Sequence, residues 1–140
     1  VTGWLWLATC LAGGAGADAR FLVDAWVSQA QLRKASARSE SGWPQRMLTL
    51  PLGTVAVNLS ACLLLGLVAA WANNRTGTAL STVLGTGLLG GYSTFSTACL
   101  EGARLALAGR WCAQLLHALL LTLGTLLAAT AGLALGSAVF

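Results

Sequence analysis

The stretch GGYSTFSTA, Gly90 to Ala98, decides how this chain is read. Two glycines, four small hydroxyl side chains and a phenylalanine in nine residues suit a surface loop, yet Leu88 and Leu89 precede them and Cys99 and Leu100 follow. A bilayer tolerates irregular backbone only where protein or water covers it, because a main-chain amide or carbonyl left bare in hydrocarbon is costly. Two readings meet these residues. In one, Gly85, Gly87, Gly90 and Gly91 loosen the helix and Ser93, Thr94, Ser96 and Thr97 compete for its hydrogen bonds. A break at 91–94 then frees main-chain groups near mid-membrane, where discontinuous helices build ion sites. In the other, the glycines allow close helix packing and the hydroxyls bond to carbonyls three or four residues back.

Composition supplies the membrane. The 140 residues make one domain, 56% apolar and 9% charged, with a mean hydropathy of +0.75. In a soluble domain about a quarter of residues carry charge. Roughly 20 apolar residues span the hydrocarbon, and four segments are long enough: about residues 1–32, 52–72, 79–107 and 111–138. The last three rest on hydropathy alone, since Leu52 to Ala72, Ala79 to Leu100 and Trp111 to Phe140 contain no Asp, Glu, Lys or Arg. Asp18, Arg20 and Asp24 interrupt the first, which reads as one long helix with a charged site in it. It lacks the clear pattern of a cleaved signal peptide, basic residues before and small residues after an apolar core. Cys10, Cys62, Cys99 and Cys112 have no zinc-like spacing, so they read as small packing residues rather than disulfides or ligands.

The formal charge of +4 is dispersed. Arg33, Lys34, Arg38 and Arg46 surround Glu40 in the first loop, Arg75 stands in the second and Arg110 in the third. No basic face is long enough to track a phosphate backbone, so nucleic acid is excluded as a partner. Loops one and three carry the larger share of cations, which places them in the cytoplasm and both termini outside by the positive-inside rule. The bias is small, and a chain so weakly biased is open to insertion both ways. The first loop reads as a connector, or as a surface helix anchored by Trp43, with a Gly42 to Pro44 turn. Asn73, Asn74 and Gly77 mark the second turn, and Gly109 and Arg110 the third.

Polar residues at similar depth favour the break. Asn58 lies a third of the way through the second span, as helix-to-helix glue or as an anion-facing donor. Asp18 and Arg20 sit in the first span, and Glu101 and Arg104 are spaced i,i+3 to face one another after the break. Charge inside a membrane marks a functional site by default, although Arg20 also fits a structural pair near an interface. His117, Thr122, Thr125 and Thr130 put polar groups on the fourth span, with Thr122 and Thr125 sharing a face. No constellation resembles an enzyme site. Four short spans enclose little aqueous space, whereas two copies offer an interface. The residues alone therefore predict an oligomeric membrane protein moving a small ion of unassigned sign.

Three motifs then carry a resemblance across nearly the whole chain. GGAGADARF (Gly13 to Phe21), GTVAVNLSACLLLG (Gly53 to Gly66) and GGYSTFST (Gly90 to Thr97) stand in the order and at the separations found in the CrcB/Fluc family of fluoride channels. The resemblance implies an all-α protein of the inner (plasma) membrane, with four transmembrane helices, the third broken at mid-membrane, assembled as an antiparallel dual-topology dimer. It implies passive export of fluoride through pores at the dimer interface, and a structural sodium ion held by the backbone carbonyls of Gly90 and Ser93 of both copies. Asn58, Phe95, Thr94 and Ser96 fall on the fluoride pathway, with His117, Thr122 and Thr125 from the fourth helix. Arg20 falls on a vestibule arginine, and Glu101 on an acidic position after the break.

The chain also departs from the family pattern. The usual TFSTF motif ends here in Ala98, which removes the second pore phenylalanine, and His117 stands where a tyrosine is usual. The following hydroxyl aligns as Leu121 and Thr125 without a gap, or as Thr122 with a shift of one residue. Two further readings follow. One is a non-conducting or half-functional subunit whose related partner, in the opposite orientation, supplies an intact pore. The other is a small-ion carrier or coupled exporter using Arg20 and Glu101.

Overall fold

The computed structural model describes residues 3–38, 50–73 and 78–140. Among them the chain is all-α, with α1 (Gly3–Arg38), α2 (Leu52–Asn73), α3 (residues 78–92), α4 (Phe95–Leu107) and α5 (Trp111–Val139). The third span is thus two helices, α3 and α4, separated at Ser93 and Thr94. Two stretches widen to π-helix, Thr82–Leu89 in α3 and Leu120–Gly124 in α5. The expected Gly42 to Pro44 turn, the Trp43 anchor and the turn at residues 74–77 lie outside the described residues. Gly109, at φ +72°, makes the turn from α4 into α5, a left-handed conformation that glycine adopts without the penalty a Cβ imposes.

α1 runs past the expected end near Leu32 to Arg38. No glycine or proline interrupts it between Ala17 and Ser41, and its far end is tied to the next span where Gln31 Nε2 donates to the Leu50 carbonyl at 2.7 Å. Pro51, just before α2, starts that helix where a missing N–H costs nothing, and its carbonyl accepts from Val55 N at 3.4 Å.

The interior is inverted relative to a soluble protein. Its buried apolar residues are mostly small, among them Val57, Ala61, Ala70 and Ala113, and Thr54, Asn58, Thr94 and His117 are buried beside them. Trp4, Trp6, Leu7, Trp26, Leu127 and many other large apolar side chains face outwards. Water penalises such a surface and lipid does not. α2 and α5 are each long and apolar enough to cross a bilayer. The 22 residues of α2 reach about 33 Å at 1.5 Å per residue, slightly more than a hydrocarbon core of about 30 Å. The chain is therefore a multi-pass protein of the plasma membrane.

Close approach between helices depends on missing side chains. A Cβ on Gly16 of α1 would strike the Leu88 carbonyl, and one on Gly91 would strike the backbone of Gly13. The glycines of GGAGADARF and GGYSTFST are thus two sides of one α1–α3 contact. On the other flank α2 lies along the second half of α5, its longest partner, where Gly132 meets the Leu63 carbonyl.

Candidate functional site

The break has a definite hydrogen-bond structure. Ser93 (φ −72°, ψ 158°) and Thr94 (φ −148°, ψ 116°) are extended, and the Ser93 amide makes the last bond of α3, to the Leu89 carbonyl at 2.9 Å. In a continuous helix the Thr94 amide would donate to the Gly90 carbonyl. Here it donates to Asn58 Oδ1 at 3.0 Å. The Thr97 amide would likewise donate to the Ser93 carbonyl, but it donates to Thr94 Oγ1 at 3.3 Å, which makes Thr94 the N-cap of α4. Both redirected amides thereby release the carbonyls of Gly90 and Ser93 from their helical partners.

Asn58 serves the break with its whole amide. Nδ2 donates to the Thr94 carbonyl at 3.1 Å and to the Thr54 carbonyl, one turn back in α2, at 2.9 Å. Both amide protons and the oxygen are therefore occupied, and within one chain the side chain holds α2 to the break. An anion could take one of these protons only by displacing a carbonyl.

The hydroxyls form a short relay. Thr94 Oγ1 donates to Thr97 Oγ1 at 3.0 Å and lies 3.5 Å from Ser96 Oγ. Beside them is a pocket of about 220 Å³, lined by Arg20, Phe21 and Asp24 of α1, Thr54 and Val57 of α2, and Thr94 and Thr97. Thr97 accepts the proton of Thr94, which leaves its own O–H as a donor on a residue that lines the pocket. Arg20 supplies positive charge and Asp24 opposes it. Asp24 is accommodated by Gly53, where a Cβ would collide with its carboxylate.

Phe95 and Ser96 are exposed, Phe95 by 84%. Ala98, one turn on, is buried, and His117 is 1% exposed with Nε2 3.4 Å from the Ala98 carbonyl. A carbonyl only accepts, so this nitrogen carries the proton. Glu101 is half-buried on the same side of α4, next to Thr54 and within charge range of His117, Asp24 and Arg104. Thr122 is exposed in the π-turn of α5, and Thr125 donates back to the carbonyls of Leu121 and Thr122. The structure therefore gathers Arg20, Asn58 and Thr94 at the pocket and the break, sets Glu101 and His117 behind them, and leaves Phe95, Ser96, Thr122 and Thr125 outside the pocket lining.

Thr54 and Thr97 were not singled out as site residues from the sequence. Two signals point to them: Thr54 is four residues before Asn58 on the same helical face, and Thr97 is three after the N-cap Thr94, where its own amide closes the cap.

The sequence profile of the family described as CrcB-like protein, Camphor Resistance (CrcB), matches residues 7–133. The chain is 41% identical over 137 residues to the fluoride-specific ion channel FluC 2 of Cutibacterium acnes, covering 96% of this chain and 98% of that one. It is 38% identical to FluC 1 of Leifsonia xyli, over 93% of this chain and 85% of the relative. It is also 38% identical to FluC 2 of Moorella thermoacetica, with coverage of 94% and 97%. A match over most of the chain, with the glycine-paired α1–α3 contact and the Asn58-held break inside it, leads to one assignment: the chain belongs to the CrcB/FluC fluoride channel family.

Proposed function

We propose that this chain is a passive, fluoride-selective channel that lets fluoride leave the cytoplasm, and that its path is completed by a second copy in the opposite orientation. The observation that carries the reading is the break, where one asparagine side chain keeps two helix ends apart inside an apolar bundle. Fluoride binds its hydration water tightly, so a path must offer donors at close range. The Thr97 hydroxyl and the Arg20 guanidinium are such donors at the pocket. The N-terminus of α4 adds its partial positive charge and unpaired amides. Aromatic rims are weakly positive, and Phe21 and Phe95 present theirs at the surface.

The second copy is favoured by that same exposure. Phe95 and Ser96 stand on the outside of a single chain, so a closed path along them needs another protein surface. Antiparallel copies would bring their two breaks together, and the carbonyls of Gly90 and Ser93, released by the redirected amides, suit a small alkali cation. Bound there, a sodium ion would supply fixed positive charge that ties the two breaks together, as a structural element and not as cargo. The family's named relatives are ion channels, and no step of this reading makes or breaks a covalent bond.

The reading of a half-functional subunit starts from Ala98. That residue is 8% exposed and its carbonyl faces the His117 ring, so it belongs to the chain interior, apart from the outward face of Phe95. The imidazole occupies the space beside it, which favours a chain that works with its own kind.

The test is fluoride efflux from liposomes carrying Thr97→Val or Phe95→Ala, each against the unaltered chain. Both substitutions are expected to lower the rate at least about ten-fold, equivalent to about 1.4 kcal/mol in the passage barrier, in protein that still elutes as a folded dimer. Unchanged rates in both would remove this path.

A further inference from the structure

We infer that Thr54, Glu101 and His117 together hold one buried water molecule behind the pocket. Three side-chain atoms are buried there without a hydrogen-bond partner: Thr54 Oγ1, Glu101 Oε2 and His117 Nδ1. Their residues are neighbours: Glu101 adjoins Thr54 and lies within charge range of His117, whose ring sits beside Gly102, the next residue of α4. The Thr54 and Glu101 side chains lie within hydrogen-bonding reach of one another, but no bond of full geometry forms at Thr54 Oγ1 or Glu101 Oε2. Thr54 is 2% exposed and His117 1%, so bulk solvent does not satisfy them. Leaving such atoms bare is expensive, and native proteins rarely do so.

The donor and acceptor types identify the occupant. His117 Nε2–H donates to the Ala98 carbonyl, so in the neutral imidazole Nδ1 is an acceptor. The carboxylate oxygen of Glu101 is an acceptor as well. Thr54 contributes a single proton, and one proton does not serve two acceptors. A water molecule closes the set: it donates one hydrogen to His117 Nδ1 and the other to Glu101 Oε2, and accepts from Thr54 Oγ1–H. Three bonds is the usual complement of a buried water. Fluoride brings no proton and would face a carboxylate, so the site rejects the ion assigned to the neighbouring path. Three atoms, one of them an imidazole nitrogen, are too few and of the wrong type for a hard alkali cation.

The site has an entry and a rigid back wall. Thr54 also lines the pocket, which gives water a way in. The imidazole is held by the Ala98 carbonyl on one side and lies 3.9 Å from where a Cβ on Gly102 would stand. One consequence concerns Thr54: its only proton is committed to the water, which leaves Thr97 as the threonine that donates into the pocket.

The experiment is solid-state NMR of the full chain, labelled with nitrogen-15, in lipid bilayers containing sodium or potassium. We expect His117 to carry its proton on Nε2, with Nδ1 as a hydrogen-bonded acceptor giving a cross-peak to a slowly exchanging water. The cross-peak should be independent of the alkali ion and fall several-fold in Thr54→Val. A protonated Nδ1 bonded directly to the Glu101 carboxylate, with no water cross-peak, would overturn the inference. So would a Nδ1 signal that responds to the change from sodium to potassium, or a water cross-peak that Thr54→Val leaves intact. The unaltered chain alone decides the matter if the variant does not fold.

Discussion

Gly91→Val leaves little folded protein. A Cβ at this position lies 2.8 Å from the Gly13 carbonyl carbon and 2.9 Å from its Cα, with the Gly13 oxygen nearer still. These are backbone atoms of another helix, so no side chain can swing away and α1 must separate from α3. Overpacking a core typically costs about 1–3 kcal/mol, and a clash against main chain belongs at or above the upper end. About 3 kcal/mol corresponds to a fall in the unfolding midpoint of roughly 10 °C for a chain of this size, out of a total stability on the order of 5–15 kcal/mol. Gly14 provides the control from the same motif, because a Cβ there meets nothing within 4 Å. Gly14→Val should stay within about 2 °C of the unaltered chain. Thermal unfolding followed by size-exclusion chromatography reads both, and equal behaviour of the two variants would refute the α1–α3 contact described above.

Asn58→Leu removes what holds the break open. The replacement keeps the bulk but deletes the acceptor of the Thr94 amide and the donor to the Thr94 carbonyl. Each buried group left unsatisfied costs about 1–3 kcal/mol, so the variant is expected to lose at least about 2 kcal/mol. With the Thr94 amide released, the Gly90 carbonyl recovers its helical partner and α3 tends to run on into α4. Fluoride efflux should fall by at least about ten-fold in whatever protein folds. Asn58→Asp separates structure from conduction. It restores an acceptor for the Thr94 amide, and so part of the stability, while placing a negative charge beside an anion path. A variant that regains both stability and flux would contradict the assignment of an anion.

Much of this arrangement is legible in the sequence. Small and hydroxyl residues inside an apolar run place the break within residues 91–94, and the observed extended residues are Ser93 and Thr94. Close packing was one of two readings of the third-span glycines, and Gly87 and Gly91 do lie against the backbone of α1, at Thr9 and Gly13. Other features need three dimensions. The register of the fourth span is ambiguous between Thr122 and Thr125 because a π-turn at Leu120–Gly124 changes the number of residues per turn, and hydrophobic pattern does not record where a helix widens. Asn58 admitted two roles, helix-to-helix glue and anion-facing donor; within one chain both of its protons go to carbonyls. Thr54 was overlooked since its importance comes from a neighbour far away in sequence, Glu101, and Asp24, named in the charged stretch of the first helix, owes its place to the distant Gly53. The ring of Phe95 is exposed on the single chain, at the surface where the proposed second copy would close the path.

Fluoride efflux from liposomes containing this chain and no other protein, followed with a fluoride electrode and compared with chloride, tests the central claim most directly. The account predicts rapid release of fluoride on adding an ionophore to balance charge, with chloride retained. Vesicles that keep their fluoride although the chain is folded, dimeric and inserted in both orientations would contradict it.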